Sequence, residues 1–576
     1  MGRRETDPLA AFADLVRQAV TSALGPDHAD IDPQVRRSDR ADVQADLAMR
    51  LARRVKQPPR AVADAIVAAL PANDLIATVE IAGPGFINAT LREAWLASAL
   101  ASIADDDRLG VPVSPSPERV VLDYSHPNVA KEMHVGHLRS TVIGDALARV
   151  LELRGHTVIR QNHIGDWGTP FGMLIEHLDD LGDSRAEAEL AIGELASFYK
   201  AARAKFDADP SFAERSRRRV VALQGGDART LERWRTLVEL SMRYFEAVYA
   251  RLGVTLTRAD LAGESFYNDR LAPLARELED SGYARISDGA LCAFPEGFKN
   301  RDGNPLALIV RKSDGGFGYA ATDLSAIRYR LAELGATRVL YVVGAPQQQH
   351  LAMIAQAARE LGWLAPPARA EHVPFGSVLG TDRQMFASRS GDTVRLVDLI
   401  DEAILRAERE ALAKGVDPAD AKEIAKIVGV GAIKYADLAS DRVKDYVFDL
   451  DRMVSFDGNT AGYAQYAHAR ARSVLRKAGG AAAAPVRTEA PAERALGFAL
   501  LGLPAAVRAV EDSLEPHRLA GYVHGLATTF TAFYDACPVL TAEPEIRASR
   551  LVLVETTARV LARALGLLGI EVPERM

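Results

Sequence analysis

The sequence predicts an α/β protein: a core of strands alternating with helices, preceded by a small α/β unit and followed by an all-helical region. Three observations predict it. Short apolar runs at 120–122, 157–160, 306–310 and 338–343 read as strands. The first passes through a Pro127-Asn128 turn straight into helical periodicity at Leu138, Val142, Ala146, Leu147 and Leu151, giving strand, loop and helix in succession. From residue 393 onward the pattern is nearly all helical.

A chain of 576 residues exceeds what one hydrophobic core serves, so two to four domains are expected. At 48% hydrophobic and 26% charged, its composition is that of an ordinary soluble protein. No run approaches the length of a membrane span, and Met1-Gly2-Arg3-Arg4 opens no apolar secretion segment, so cytoplasmic residence is the expectation. Cys292 and Cys537 are too few for a four-thiolate zinc site or a disulfide framework, and read as buried small hydrophobes. A net charge of −7 argues against nonspecific coating of nucleic acid, so any RNA must be met by a local basic surface.

Residues 1–112 form the first domain. A helix spans 9–24, and the spacing Val43-Leu47-Leu51 predicts a second that ends at Pro58-Pro59. Residues 75–81 alternate as a strand, Gly83-Pro84-Gly85 turns the chain, Phe86-Ile87-Asn88 begins another strand, and a helix follows over 91–101. Phe86 and Asn88 read from the residues alone as a core aromatic and a turn residue.

Residues 113–392 form the core domain. The loop after its first strand gathers His126, Asn128, Lys131, His134, Gly136 and His137, more polar and ionisable groups than burying a helix requires. Ligands bind at such strand-to-helix junctions. A helix start offers free N–H groups and a positive field suited to phosphate, and Gly136 clears space for a ring or phosphate to approach. The loop 163–172 reads as the pocket floor. A charged helical insertion is expected over about 179–252, and its Arg217-Arg218-Arg219 is a solvated face or a phosphate contact.

Beyond the insertion, 306–310 reads as a fully buried strand, and Tyr319 and Asp323 stand i and i+4 at the start of a helix. A carboxylate buried beside a phenol is costly unless a cation meets it. The strand 338–343 ends at Gly344-Ala345-Pro346, Gln347 and His350 open the next helix, and 371–379 reads as the final strand. A helical stem is expected over 393–455 and a helical domain over 456–576, divided by Gly479-Gly480. In the latter, Tyr463, Tyr466, His468, Arg470, Arg472, Arg476 and Lys477 form either an RNA face or an aromatic core with charged neighbours.

His134-Val135-Gly136-His137 resembles the HIGH signature of class I aminoacyl-tRNA synthetases. Ser125-His126-Pro127-Asn128-Val129-Ala130-Lys131, Asn162-His163-Ile164-Gly165-Asp166-Trp167-Gly168-Thr169-Pro170-Phe171-Gly172 and the chain end 567–576 resemble arginyl-tRNA synthetases in particular. The resemblance implies a Rossmann-like nucleotide-binding core, an added N-terminal domain that grips tRNA through Phe86 and Asn88, and an anticodon-binding bundle using Tyr463, Tyr466 and Arg470. It implies ATP-dependent activation of L-arginine and transfer to tRNA(Arg), with Mg²⁺ carried by ATP rather than by a protein-owned site, in a monomer. Lys131, His134, Gly136 and His137 would meet ATP, with Gly344 and His350 on the nucleotide wall. Asp123, Tyr319 and Asp323 would hold the guanidinium, while Asn128 and Gln347 orient the α-amino group beside His134.

One departure stands out. Residues 380–391 occupy the place of the family's KMSKS loop, yet Gln384 and Ala387 vacate both lysine positions and Arg389 is the principal cation left. The family pattern implies that Lys131 compensates. Asp123 stands where many relatives have glutamate, which leaves a gap for a backbone shift or a water. Two rival readings remain: a small-molecule nucleotidyltransferase on the same fold, which would need neither terminal RNA-binding region, and a non-catalytic RNA-binding paralogue, favoured by Gln384 and Ala387.

Overall fold

The computed structural model describes residues 6–38, 40–182, 195–384, 386, 394–413 and 415–576. The chain starts with α1 (Pro8–Leu24), whose first turn is capped by the Asp7 carboxylate accepting the Leu9 N–H at 2.9 Å. Strands β1 (Val35–Arg37) and β2 (Val43–Ala45) precede α2 (Ala48–Val55) and α3 (Pro59–Ala68); β3 (Ile76–Ala82), β4 (Phe86–Leu91) and α4 (Glu93–Ala104) follow. The four strands make an antiparallel sheet in the order β1-β2-β4-β3. Val43 therefore lies in a strand, not in the helix its spacing predicts. Its backbone pairs with β4 at Ala89, and that long-range pairing overrides an i, i+4 pattern that only the segment from Ala48 obeys.

The core domain begins with β5 (Arg119–Asp123), α5 (Val135–Leu153), β6 (Thr157–Gln161) and α6 (Pro170–Leu181). Among the described residues, the expected insertion follows as three helices, α7 (Leu195–Ala208), α8 (Pro210–Gln224) and α9 (Ala228–Leu252). The chain continues through α10 (Asn268–Asp280), β7 (Ala284–Ser287), β8 (Ala290–Ala293), β9 (Leu308–Arg311), α11 (Tyr319–Ala332), β10 (Arg338–Tyr341), α12 (Gln348–Glu360) and β11 (Arg369–His372).

Strands β11-β10-β5-β6 form one parallel sheet, with Asp123 opposite both Tyr341 and Gln161. The register brings the loops after β5, β6 and β10 to one sheet edge, where a parallel α/β sheet holds its ligands. Helix α5 lies so close to this edge that a Cβ on Gly144 would come within 2.3 Å of the Tyr124 ring.

Two strand expectations are corrected. The run 306–310 enters a separate antiparallel sheet, β7-β8-β9, in which Ile309 is 48% exposed, so it is no buried strand of the parallel core. The run 371–379 is broken: β11 stops at His372, and β12 (Val378–Leu379) leaves to pair with β13 (Tyr446–Val447). A short apolar run gives no indication of which sheet will receive it.

The stem comprises α13 (Leu396–Ala413) and α14 (Pro418–Leu438), and β13 follows it. After α15 (Leu450–Met453) come α16 (Ala461–Ala478), α17 (Pro491–Leu501), α18 (Leu503–Ser513), α19 (His517–Ala536) and α20 (Pro544–Leu567). Gly479, at φ +79°, ends α16 in the left-handed conformation a C-terminal cap needs. The helical domain also clasps the N-terminal one: Arg494 pairs with Asp42 and Glu93, and Arg508 with Asp7. Among the described residues, no helix is long and apolar enough to cross a membrane.

Candidate active site

Between β5 and α5 the backbone is under strain. Ser125, His126 and Ala130 all take positive φ, at +82°, +52° and +58°, a conformation that non-glycine residues pay for at roughly 1–3 kcal/mol each. The surroundings impose it. The Ser125 N–H donates to Ser140 Oγ at 2.9 Å, the Ser125 and Tyr249 hydroxyls lie 2.7 Å apart, and the Ala130 N–H donates to Ser241 Oγ at 2.9 Å. The floor loop is zipped to it, with Val129 N–H donating to Gly165 C=O and Gly165 N–H to Pro127 C=O. A Cβ on Gly165 would strike the Asn128 amide oxygen at 2.5 Å, so glycine there lets Asn128 lie across the loop with its side chain exposed.

His134 caps α5. Its Nδ1 accepts the Gly136 N–H at 3.0 Å, and His137 Nδ1 accepts the His134 N–H at 3.1 Å. The two rings lie 4.0 Å apart. Burial, and then its neighbour His134, pushes His137 down to about 3; burial and Lys131 lower His134. Both imidazoles are therefore neutral near pH 7. With each Nδ1 occupied as an acceptor, the remaining proton sits on each Nε2, leaving two ring N–H donors at a helix N-terminus. Gly136 is forced by this turn, because a Cβ would meet the His134 ring at 2.8 Å.

Three of the residues expected to hold the amino acid, Tyr319, Asp323 and Gln347, lie at the starts of α11 and α12. Asp323 lies one turn into α11, and its Oδ2 accepts from His350 Nε2 at 2.6 Å. That hydrogen bond raises the His350 pKa above the ordinary imidazole range. His350, expected on the nucleotide wall, thus faces the carboxylate expected to hold the guanidinium. Tyr319, at the first position of α11, is 77% exposed, and Gln347 is exposed just before α12. Gly344 follows β10 and is bridged in parallel to Phe375.

Asp123 differs from its expected role. It is buried at the end of β5, where its carboxylate accepts from Arg330 Nη2 at 2.6 Å and from His126 Nε2 at 2.8 Å. Burial alone would raise its pKa, but Arg330 and His126 together hold it well below the usual carboxylate range. Arg330 also donates to Gln161 at 2.6 Å, so it pins α11 to the ends of β5 and β6. The cation that satisfies Asp123 is a residue of the chain itself, and the carboxylate faces the interior rather than open space.

Glu264, which sequence reasoning did not single out, lies close enough to Asp166 and Asp323 to feel both charges. Burial, Asp166 and Asp323 push it up to about 7. Asp166 is fixed by the Ser265 N–H at 2.8 Å and the Ser265 hydroxyl at 2.6 Å. Only the raised charge density around Asp323 marks Glu264, and no spacing in the sequence shows it. Arg330 lies on the buried face of a helix that also carries Asp323 and Arg328, so its type alone does not distinguish it in the sequence.

Of the loop at 380–391, Gln384 is described and exposed, while Ala387 and Arg389 lie outside the described residues. Beyond this loop, the described chain at 394–396 is tied to the histidine turn: Val135 N–H donates to Val394 C=O at 3.2 Å and Leu396 N–H to Met133 C=O at 2.8 Å.

The expected RNA residues divide. Asn88 is buried, accepting from Ser38 Oγ at 3.4 Å within the N-terminal sheet, so it is not presented as a free base-reading amide; Phe86 is half-buried over the Gly83 turn. In the helical domain, Arg470 stacks on Tyr466 and Tyr534, at 4.7 and 5.0 Å from the ring centroids, beside a cavity of about 680 Å³ that Tyr463, Tyr466, Arg470 and Met576 help to line. Tyr463 is half-buried and donates to Thr531 at 3.4 Å.

A parallel sheet with a paired-histidine helix start at its edge, a helical insertion and a helical C-terminal domain define a class I aminoacyl-tRNA synthetase. The family model described as tRNA synthetases class I (R), catalytic domain, matches residues 99–450; the arginyl-tRNA synthetase N-terminal domain model matches 10–91 and the DALR anticodon binding domain model 464–576. An arginine–tRNA ligase of Thermobifida fusca is 54% identical over 99% of this chain and 100% of its own length, and one of Frankia casuarinae is 50% identical over 97% and 98%. The solved arginyl-tRNA synthetase of Thermus thermophilus superposes with a TM-score of 0.83 at 27% identity, covering 99% of this chain and 100% of its own. This chain belongs to the arginyl-tRNA synthetase family.

Proposed function

We propose that the cleft activates L-arginine with ATP and passes it to the 3′-terminal ribose of tRNA(Arg). The arginine carboxylate attacks the ATP α-phosphate and releases pyrophosphate. The terminal ribose hydroxyl then attacks the arginyl carbonyl and releases AMP. The observation that carries the reading is the pairing, along one sheet edge, of two neutral histidine donors with a separate acidic slot at Asp323.

His134, His137 and Lys131 act on the nucleotide, and Mg²⁺ enters with ATP. Asp323, Tyr319 and Glu264 receive the guanidinium, whose five donors match several acceptors at once. Asn128 and Gln347, both neutral and exposed, orient the α-amino group. Electrostatics and positioning supply the rate without a general base. The Tyr466–Arg470 surface takes the anticodon loop by stacking and phosphate contact, and Phe86 meets the outer corner of the tRNA. On this reading the chain works as a cytoplasmic monomer.

ATP–pyrophosphate exchange with arginine, lysine and citrulline, each with and without tRNA, tests the reading. Arginine-dependent exchange that appears only with tRNA is expected. Citrulline matching arginine would remove the carboxylate slot from the argument, because citrulline lacks the charge.

A further inference from the structure

Lys131 stands in a cradle that the nucleotide fold itself does not provide. The backbone on either side of it is held from α9: Ala130 N–H donates to Ser241 Oγ at 2.9 Å and Met133 N–H to Tyr244 OH at 3.2 Å. The side chain is held from α7, where the Lys131 ammonium lies 4.6 Å from the centroid of the Tyr199 ring. Tyr199 is itself anchored, because its neighbour Phe198 is fully buried and packs on His177 of α6, ring to ring at 4.9 Å.

While it rests on Tyr199, the ammonium stays near enough to the histidine turn to disfavour protonation of both His134 and His137. A four-carbon stem that is exposed to solvent would otherwise sample many rotamers. A ring face that attracts a cation narrows that set without removing the charge.

We propose that Tyr199 is a positioning residue for the activation step: its ring aims the Lys131 ammonium at the ATP phosphates, so the helical insertion completes the site that the lysine-poor loop leaves short of cations. The inference rests on the reading of the cleft given above and deepens it at Lys131. In this role Tyr199 acts through the lysine.

The test is a double-mutant cycle on the full chain, with arginylation kcat and the KM values for ATP, arginine and tRNA measured for Tyr199→Leu, Tyr199→Phe, Lys131→Met and Tyr199→Leu with Lys131→Met. Expected are a fall in kcat of about five- to twentyfold for Tyr199→Leu, an unchanged arginine KM, and a rate within about twofold of the parent for the ring-retaining Tyr199→Phe. In the Lys131→Met background, Tyr199→Leu should cost less than about twofold.

An equal loss in both backgrounds, or Tyr199→Phe falling as far as Tyr199→Leu, overturns the positioning role while leaving the reading of the cleft intact. If Lys131→Met keeps the parent rate, the assignment of Lys131 fails and this inference falls with it. Thermal melts of each variant identify folding defects, and should Tyr199→Leu not fold, Tyr199→Met takes its place in the cycle.

Discussion

His350 Nε2 and Asp323 Oδ2 lie 2.6 Å apart, joining the N-terminal parts of α11 and α12. On the proposed reading, a protonated His350 and the substrate guanidinium would compete for the same carboxylate. The His350 pKa is raised by that hydrogen bond, and Glu264 is held up to about 7 by burial, Asp166 and Asp323. As pH rises, His350 loses its charge and Glu264 gains one, so the slot becomes more negative. The arginine KM should therefore fall between about pH 6 and pH 8.5, and His350→Gln should leave only the Glu264 step. A KM that is flat or rises over this range would contradict the assignment. The stability effect has the opposite sense: with its folded pKa raised, the His350–Asp323 pair stabilises fully below the unfolded value of about 6.5 and is lost as pH climbs through the folded one.

Asp323→Asn keeps the shape of the slot and removes its charge. Losing one partner of a desolvated, charge-assisted contact costs about 2–5 kcal/mol. Arginine kcat/KM should therefore drop by roughly 30- to 5,000-fold, with a smaller change in the KM for ATP, as steady-state arginylation will read.

Lys131→Ala should lower kcat for activation on the order of 10²-fold, the effect of removing one donor from a developing phosphoryl charge. Tenfold-higher Mg²⁺–ATP should not restore it, because the loss lies in the transition state rather than in binding. A change below about threefold would remove Lys131 from the phosphates.

Asp123→Asn is expected to act on stability. It strands the fully buried Arg330, and breaking a buried ion pair from one side costs about 3–5 kcal/mol. Denaturant unfolding should show that loss. Because the Asp123 pKa is depressed by folding, its contribution is present above the unfolded value of about 3.9 and disappears as pH falls through the folded one. An unchanged midpoint together with a large rise in arginine KM would make Asp123 a substrate contact after all.

Arg470→Ala unstacks Tyr466 and Tyr534 at the edge of the anticodon-side cavity. The tRNA KM should rise about 5- to 100-fold, since base stacking is worth roughly 1–3 kcal/mol, while the KM values for ATP and arginine stay put. The salt dependence of tRNA binding should also become shallower by about one unit of slope.

The histidine turn was legible in the chain because all its parts are local. His134, Gly136 and His137 act within one helical turn, and their mutual hydrogen bonds follow once that turn forms. Asn88 was not, because its burial depends on β2 and β3 pairing on either side of β4, at Gln44 and Glu80. The same holds for 306–310, whose apolar run fits either of two sheets until the fold selects one.

By itself the sequence determined the order of domains, the strand–loop–helix that carries the histidines, and the carboxylate placed one turn into α11, since each is set by near neighbours and by the periodicities of helix and strand. Only the tertiary structure decided the rest. Whether a charge faces substrate or is consumed inside depends on which distant residue lies against it. Arg330 is 207 positions from Asp123 and neutralises it, whereas Asp323 pairs with the titratable His350 and stays partly exposed.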